Sequence, residues 1–182
     1  MKEKHISEIL HFWFEEISLK QQFAKDPEFD ALLADKFGVL VADALGGRLD
    51  SWAASKDGRL ALILLLDQIT RNIHRDTPLA FAGDDMALAL SLRAVDDGFL
   101  EDGQTSKNQF FLMPMMHSEN LEIQEGSLPL FQAHTPDMVY DYAAKHRDII
   151  AKFGRFPHRN AILKRPSTAE EDAFLQQPGS SF

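Results

Sequence analysis

Four stretches of the chain concentrate side chains that can hold charge or move protons. In the first, Asp67, Gln68, Arg71, Asn72, His74 and Arg75 follow an unbroken apolar run from Leu60 to Leu66. Asp67 and Arg71 stand one helical turn apart and continue the stripe of Leu60 and Leu64, so a carboxylate and a guanidinium can form the polar floor of a pocket. The plainer role is a structural ion pair. The second stretch, Met113-Pro114-Met115-Met116-His117-Ser118-Glu119, brings an imidazole and a carboxylate to a predicted helix start. His117 and Glu119 can exchange protons with a ligand, although a two-residue spacing puts them on different helix faces and leaves any cooperation to loop geometry. Otherwise Glu119 complements the positive end of a helix and His117 packs under the methionines.

His146 sits within an apolar stripe, a position that suits a hydrogen-bonded core histidine as well as a general base. The densest stretch is Phe153-Gly154-Arg155-Phe156-Pro157-His158-Arg159-Asn160. Arg155, His158, Arg159 and Asn160 lie there on a chain stiffened by proline, and planar guanidinium donors can grip a carboxylate or phosphate at two points, as an anion clamp does. The same arginines could instead bond helix carbonyls or pair with Asp67, Glu119 and Glu122.

Other chemistries lack an anchor. The histidines are scattered at positions 5, 11, 74, 117, 134, 146 and 158 without a His-Glu-x-x-His spacing, and there is no cysteine, so no metal site is predicted. No glycine-rich phosphate loop and no Gly-x-Ser-x-Gly elbow occurs, and no cofactor is expected.

Helices must position these residues, because helix punctuation recurs while the alternating runs that mark strands are missing. Ile6, Ile9, Leu10, Trp13 and Phe14 form one apolar stripe, with Ser7 as a candidate cap. Asp26-Pro27 opens a helix whose predicted buried face is Phe29, Leu32, Leu33 and Phe37, and the helical region ends at Gly46-Gly47. An Asp57-Gly58 turn then leads into a helix from Arg59 to about Ile73, apolar on every side through Leu66 and therefore central. Thr77-Pro78 and Asp84 read as caps of a helix that stops at Gly98. Thr105 caps a short helix that ends before Pro114, and Ser118 starts a segment that Gly126 and Pro129 interrupt. The helix from Pro136 to Phe153 is strongly amphipathic and stops at Gly154. Ser167-Thr168-Ala169-Glu170 matches a capping box before a last, weakly docked helix.

The 182 residues suit one core, and no linker or low-complexity tract divides them, so residues 1–182 are expected to form a single all-α domain. A net charge of -9 disfavours nucleic acid, although residues 145–165 form a local basic island. The longest apolar run is far below the roughly 20 residues of a membrane span, and the amino terminus does not read as a signal peptide; a cytoplasmic location is expected.

Three stretches together resemble the bacterial family known as domain of unknown function 924, over about Ile9 to Phe182: Leu66-Asp67-Gln68-Ile69-Thr70-Arg71-Asn72, Pro114-Met115-Met116-His117-Ser118-Glu119, and Phe153 through Asn160. The resemblance implies packed helical hairpins of the tetratricopeptide type and implies no activity. Ile69-Thr70 stands where Phe-Pro is usual in that family, and Lys164 where Gly is usual. Lysine tolerates a positive φ poorly, so the loop after Leu163 is predicted to differ.

The leading expectation is a pocket for a small anion or a peptide carboxylate, assembled from Asp67, Arg71, Asn72, Arg155, His158, Arg159 and Asn160. An enzyme with His117 or His146 as general base and the arginines as a clamp for an anionic substrate or developing oxyanion is the alternative, with Glu119 a further catalytic candidate; a scaffold for a partner protein is the third. Neither the enzymatic nature of the protein nor its oligomeric state follows from the sequence.

Overall fold

The structure is a computed structural model that describes residues 2–180, and among these every regular element is helical. Helix α1 (Lys2–His11) runs into a wide π turn at Phe12–Glu16, and Ser7 lies inside it rather than capping it. A short α2 (Leu19–Phe23) follows, opened by a capping box between Ser18 and Gln21. Helix α3 (Pro27–Leu45) starts where the sequence places it: the Asp26 carboxylate accepts from the backbone of Glu28 and Phe29, and Pro27 occupies the first turn; Phe29, Leu33 and Phe37 are buried as expected, but Leu32 faces solvent.

The central helix begins earlier than predicted. Ser55 caps α4 (Lys56–Ile63), so Asp57 and Gly58 form its first turn instead of a separate bend. A side chain at Gly58 would strike the Trp52 carbonyl at 2.2 Å, so only glycine lets the helix pass the preceding turn. The helix continues through a π-helical stretch, Leu64–Ile69, into α5 (Thr70–Ile73). Within that stretch the Thr70 N–H reaches back five residues to the Leu65 carbonyl, and the Thr70 hydroxyl donates to the same oxygen at 2.6 Å. From Gly58 to Thr70 every residue is buried, which is the environment an all-round apolar helix requires.

Helices α6 (Asp84–Asp96), α7 (Thr105–Met116), α8 (Leu121–His134) and α9 (Asp137–Phe153) follow, each packed on its predecessor. Gly83 precedes α6 with its Cα pressed on the central helix, where a Cβ would lie 2.3 Å from the Leu66 carbonyl. Two prolines expected to end helices do not. Pro114 lies within α7 and Pro129 within α8, because burial of Met113, Met115, Met116 and Phe131 outweighs the lost backbone bond. Near Pro114, Ser91 of α6 donates its hydroxyl to the Phe111 carbonyl at 2.5 Å, giving that backbone an added partner. Asn120, not Ser118, caps α8.

Helix α9 stops at Gly154, whose φ of 68° is the left-handed cap foreseen in the sequence. After a loop with one 3-10 turn at Pro157–Arg159, the capping box that opens α10 (Ala169–Leu175) pairs Thr168 with Glu171, one residue later than the sequence reading. The main apolar cluster joins residues of α1, α3, α4, the π stretch and α6 to α9, while Ile149, Ile150 and Phe156 form a second cluster with Phe153 and Phe174 against them. No helix of the described residues is long and apolar enough to cross a membrane.

Candidate functional site

The site lies where the π stretch turns polar. Its wide turn buries Asp67 completely, and the carboxylate is met by three donors. His117 Nδ1 lies 2.7 Å from Oδ1, Gln68 Nε2 donates to Oδ2 at 2.5 Å, and Arg71 Nη1 stands 3.2 Å from Oδ1. Burial alone would raise the carboxyl pKa, but the interactions with His117 and Arg71 outweigh it and hold Asp67 well below the usual carboxylate range. An ionised Asp67 can only accept, so Nδ1 of His117 carries the proton and donates it. In the neutral ring the lone pair therefore falls on Nε2, which makes no hydrogen bond among the described residues.

Arg71 continues the network outward. Its guanidinium also donates to the Asp67 main-chain oxygen at 2.8 Å and contacts Asp84 at 2.9 Å. Asp84 opens α6 and is shared by two guanidinium groups, since Arg159 Nη1 reaches Oδ2 at 3.1 Å. Arg159 Nη2 donates to the His117 carbonyl at 3.0 Å, and its guanidinium carbon stands over the rings of both Phe81 and Phe156, 4.7 Å from each centroid. Burial, with Arg71 nearby, lowers the Arg159 pKa to about 10, which leaves it charged at neutral pH.

Above these residues is a cleft of about 160 Å³ lined by Asp84, Asp85, Leu88, Pro114, His117, Ser118, Glu119 and Arg159. Glu119 forms its wall toward the carboxyl-terminal loop: its carboxylate accepts two hydrogen bonds from Arg165, at 2.6 and 3.0 Å, and one from the Phe156 N–H at 2.8 Å. Burial opposes that charge, but these donors, Arg165 foremost, hold the Glu119 pKa below its ordinary value.

The predicted site residues therefore divide. Asp67, Arg71, His117, Glu119 and Arg159 gather around or beneath the cleft. His146 stands behind it, 5% exposed, its ring 6.2 Å from that of His117 and its Nδ1 donating to the Tyr142 carbonyl at 2.7 Å. Burial, reinforced by His117, pushes the His146 pKa down to about 3. His158 packs on Phe156, and burial beside Arg159 lowers its pKa to about 4.

The other three lie elsewhere. Arg155 binds Glu171 of α10 through both Nε and Nη2, at 2.6 and 2.7 Å, which ties the last helix down more firmly than expected. Asn72 joins Arg75 on Asp30 of α3, with the Asn72 amide 2.8 Å from the carboxylate. Asn160 is buried within its own loop, bonded to Ser167 and Arg165. Sequence reasoning assigned Asp84 only a capping role and left Arg165 in the basic island. Two adjacent acids at the start of α6, opposite that island, were the available signal. Among the described residues no group of three or more His, Asp or Glu side chains could hold a metal ion.

The loop after Leu163 corrects one expectation. Lys164 adopts a φ of 55°, so the left-handed conformation is kept despite the lysine. Its N–H donates to the Ala161 carbonyl at 3.3 Å, and that of Arg165 to Asn160 at 2.8 Å, the paired bonds of a Schellman turn. These bonds and the anchoring of Arg165 on Glu119 over-determine a backbone that lysine alone would avoid.

The comparison with curated proteins returns no match. Among solved structures, the chain is similar to a protein of unknown function from Agrobacterium tumefaciens, with 34% identity and a TM-score of 0.91 over 97% of this chain and 99% of that one. A family model described as bacterial protein of unknown function (DUF924) matches residues 9–179, and the chain belongs to that family.

Proposed function

We propose that the cleft binds a small anionic molecule and that His117 accepts a proton from it. The observation that carries this reading is the Asp67–His117 pair: a fully buried, ionised carboxylate fixes Nδ1 as the donor, so that in the neutral ring the lone pair sits on Nε2, in a ring that lines an open cleft. The bond satisfies the buried carboxylate, and it also gives the ring the fixed tautomer that a general base needs. Arg159, the cation of the cleft wall, supports the anionic character of the ligand. A ligand carboxylate or phosphate can take the place of Asp84 on Arg159, and Asp84 still keeps Arg71 as its partner.

Binding alone and binding with catalysis differ in the fate of the ligand once its proton has moved, and the oriented imidazole favours the catalytic reading. The test is long-range proton–nitrogen NMR of the imidazoles during titration with a panel of small carboxylates and phosphate monoesters. The expected result is a His117 ring in the Nδ1–H form whose Nε2 resonance shifts with at least one compound, and loss of that response in Arg159→Gln. A His117 ring in the Nε2–H form, or one that responds to no member of the panel, would sink the proposal.

A further inference from the structure

The segment from Arg155 to Arg165 is attached to the rest of the protein in an uneven way. Its apolar anchor, Phe156, is fully buried, but in the small cluster with Ile149 and Ile150 of α9 rather than in the main core. Toward the body that carries His117 its hydrogen bonds involve charged groups: Arg159 to Asp84 and to the His117 carbonyl, and Arg165 and the Phe156 N–H to Glu119. The more exposed of these contacts, Arg165 with Glu119, weakens with salt, and the more buried Arg159–Asp84 pair yields to an anion that competes directly for the guanidinium, whereas apolar contacts respond to neither in this way.

Internally the segment is braced. Pro157 stiffens its start, Arg165 Nε and Nη2 return to Asn160 and to the Phe156 carbonyl at 3.0 and 3.1 Å, and the Schellman turn at Lys164 closes its end. Such a piece moves as one body about its ends, where Gly154 with its φ of 68° lies on one side and Pro166 on the other. The closed position also has an internal cost, because Arg159 Nε is buried without an acceptor among the described residues.

We infer that residues 155–165 form a lid over the His117 cleft, latched on Glu119 by Arg165 and the Phe156 N–H, and opened when an anion takes Asp84's place on Arg159. The inference takes its functional meaning from the reading of the cleft as a ligand site. Glu119 and Arg159 are at once walls of the cleft and attachment points of the segment, so a motion that widens the cleft breaks these bonds and shifts Phe156 within the small cluster, leaving the main core intact. Opening releases the Arg159 guanidinium, and closure over a bound anion gives that nitrogen fork a new acceptor.

Hydrogen exchange of the full chain, followed by mass spectrometry, tests the lid without knowledge of the ligand. The probes are wild type, Arg165→Gln and His117→Gln, each at low and at high sodium chloride, and wild type with inorganic phosphate added at constant ionic strength. In Arg165→Gln the amides of 156–165 should exchange about tenfold faster than in wild type while those of α3 and α7 keep their rates. High salt should move wild type in the same direction, and phosphate should change the rates of the same amides alone. His117→Gln should leave the segment at wild-type rates, since Arg159 bonds the backbone oxygen of residue 117 and not its ring. Acceleration spread through α7 and α9, or an unchanged segment in Arg165→Gln, overturns the lid. A lid that behaves as described together with an unresponsive His117 ring would remove the proton-transfer proposal and leave this one standing.

Discussion

Replacing Asp67 by asparagine tests the site at its least accessible point. The carboxylate is 0% exposed and meets His117, Arg71 and Gln68, so the neutral amide keeps the volume but loses the charge that compensates Arg71 and accepts from the other two. Removing one member of a buried ion pair costs roughly 3–5 kcal/mol. Arg71 retains Asp84 at 2.9 Å and the main-chain oxygen of residue 67 at 2.8 Å, so it is not orphaned, and the cost should fall near the low end, about 3 kcal/mol. For a chain of this length that loss lowers Tm by about 6–12 °C. The asparagine also releases the tautomer of His117, because an amide can donate as well as accept. Urea unfolding monitored by tryptophan fluorescence, with the m-value held constant, gives the first quantity, and imidazole NMR gives the second. A loss below about 1 kcal/mol together with a His117 ring still held in the Nδ1–H form would show that Asp67 neither supports the fold nor orients the histidine.

Acid should weaken the protein before its carboxylates titrate. The pKa of His146 is lowered to about 3, so between the ordinary histidine value of 6.5 and that point the unfolded chain binds a proton that the folded chain refuses; stability is full above pH 6.5 and falls as pH drops, at up to about 1.4 kcal/mol per pH unit. His158, lowered to about 4, adds to the slope over its upper part, and in His146→Gln urea midpoints from pH 7 to 5 should fall less steeply than in wild type; an identical slope would remove His146 as the cause. Lys164→Gly should stabilise by about 1 kcal/mol, because the φ of 55° strains lysine and suits glycine, less what the more flexible unfolded chain regains. Equal or lower stability in urea would show that the lysine stem repays its strain elsewhere.

Local signals were legible wherever one residue type had one structural meaning. Asp26-Pro27 and Gly154 mark helix ends because a cap and a left-handed stop are short-range properties. Pro114 and Pro129 misled because the opposing force, burial of Met115, Met116 and Phe131, comes from distant elements that a local reading does not weigh. The site follows the same division. The Asp67–Arg71 pair is one turn apart on a single helix and could be foreseen, whereas the meeting of Asp67 with His117 spans fifty positions and depends on how α7 crosses the π stretch. The Arg159–Asp84 bond and the Glu119–Arg165 bond are likewise products of tertiary packing. Composition announced acids and bases in suitable numbers, but it could not say which would find each other.

The π stretch at Leu64–Ile69 bears on how this helix came to carry two kinds of surface. A five-residue reach accommodates one residue more than an ordinary turn, so everything after it is rotated by about 100° relative to an uninterrupted spiral. Removing a single codon from Leu64–Ile69 would keep the apolar half seated and swing Arg71, Asn72 and Arg75 away from Asp84 and Asp30. The extra residue of the π stretch therefore aims the charged end of a helix whose first half is committed to the interior.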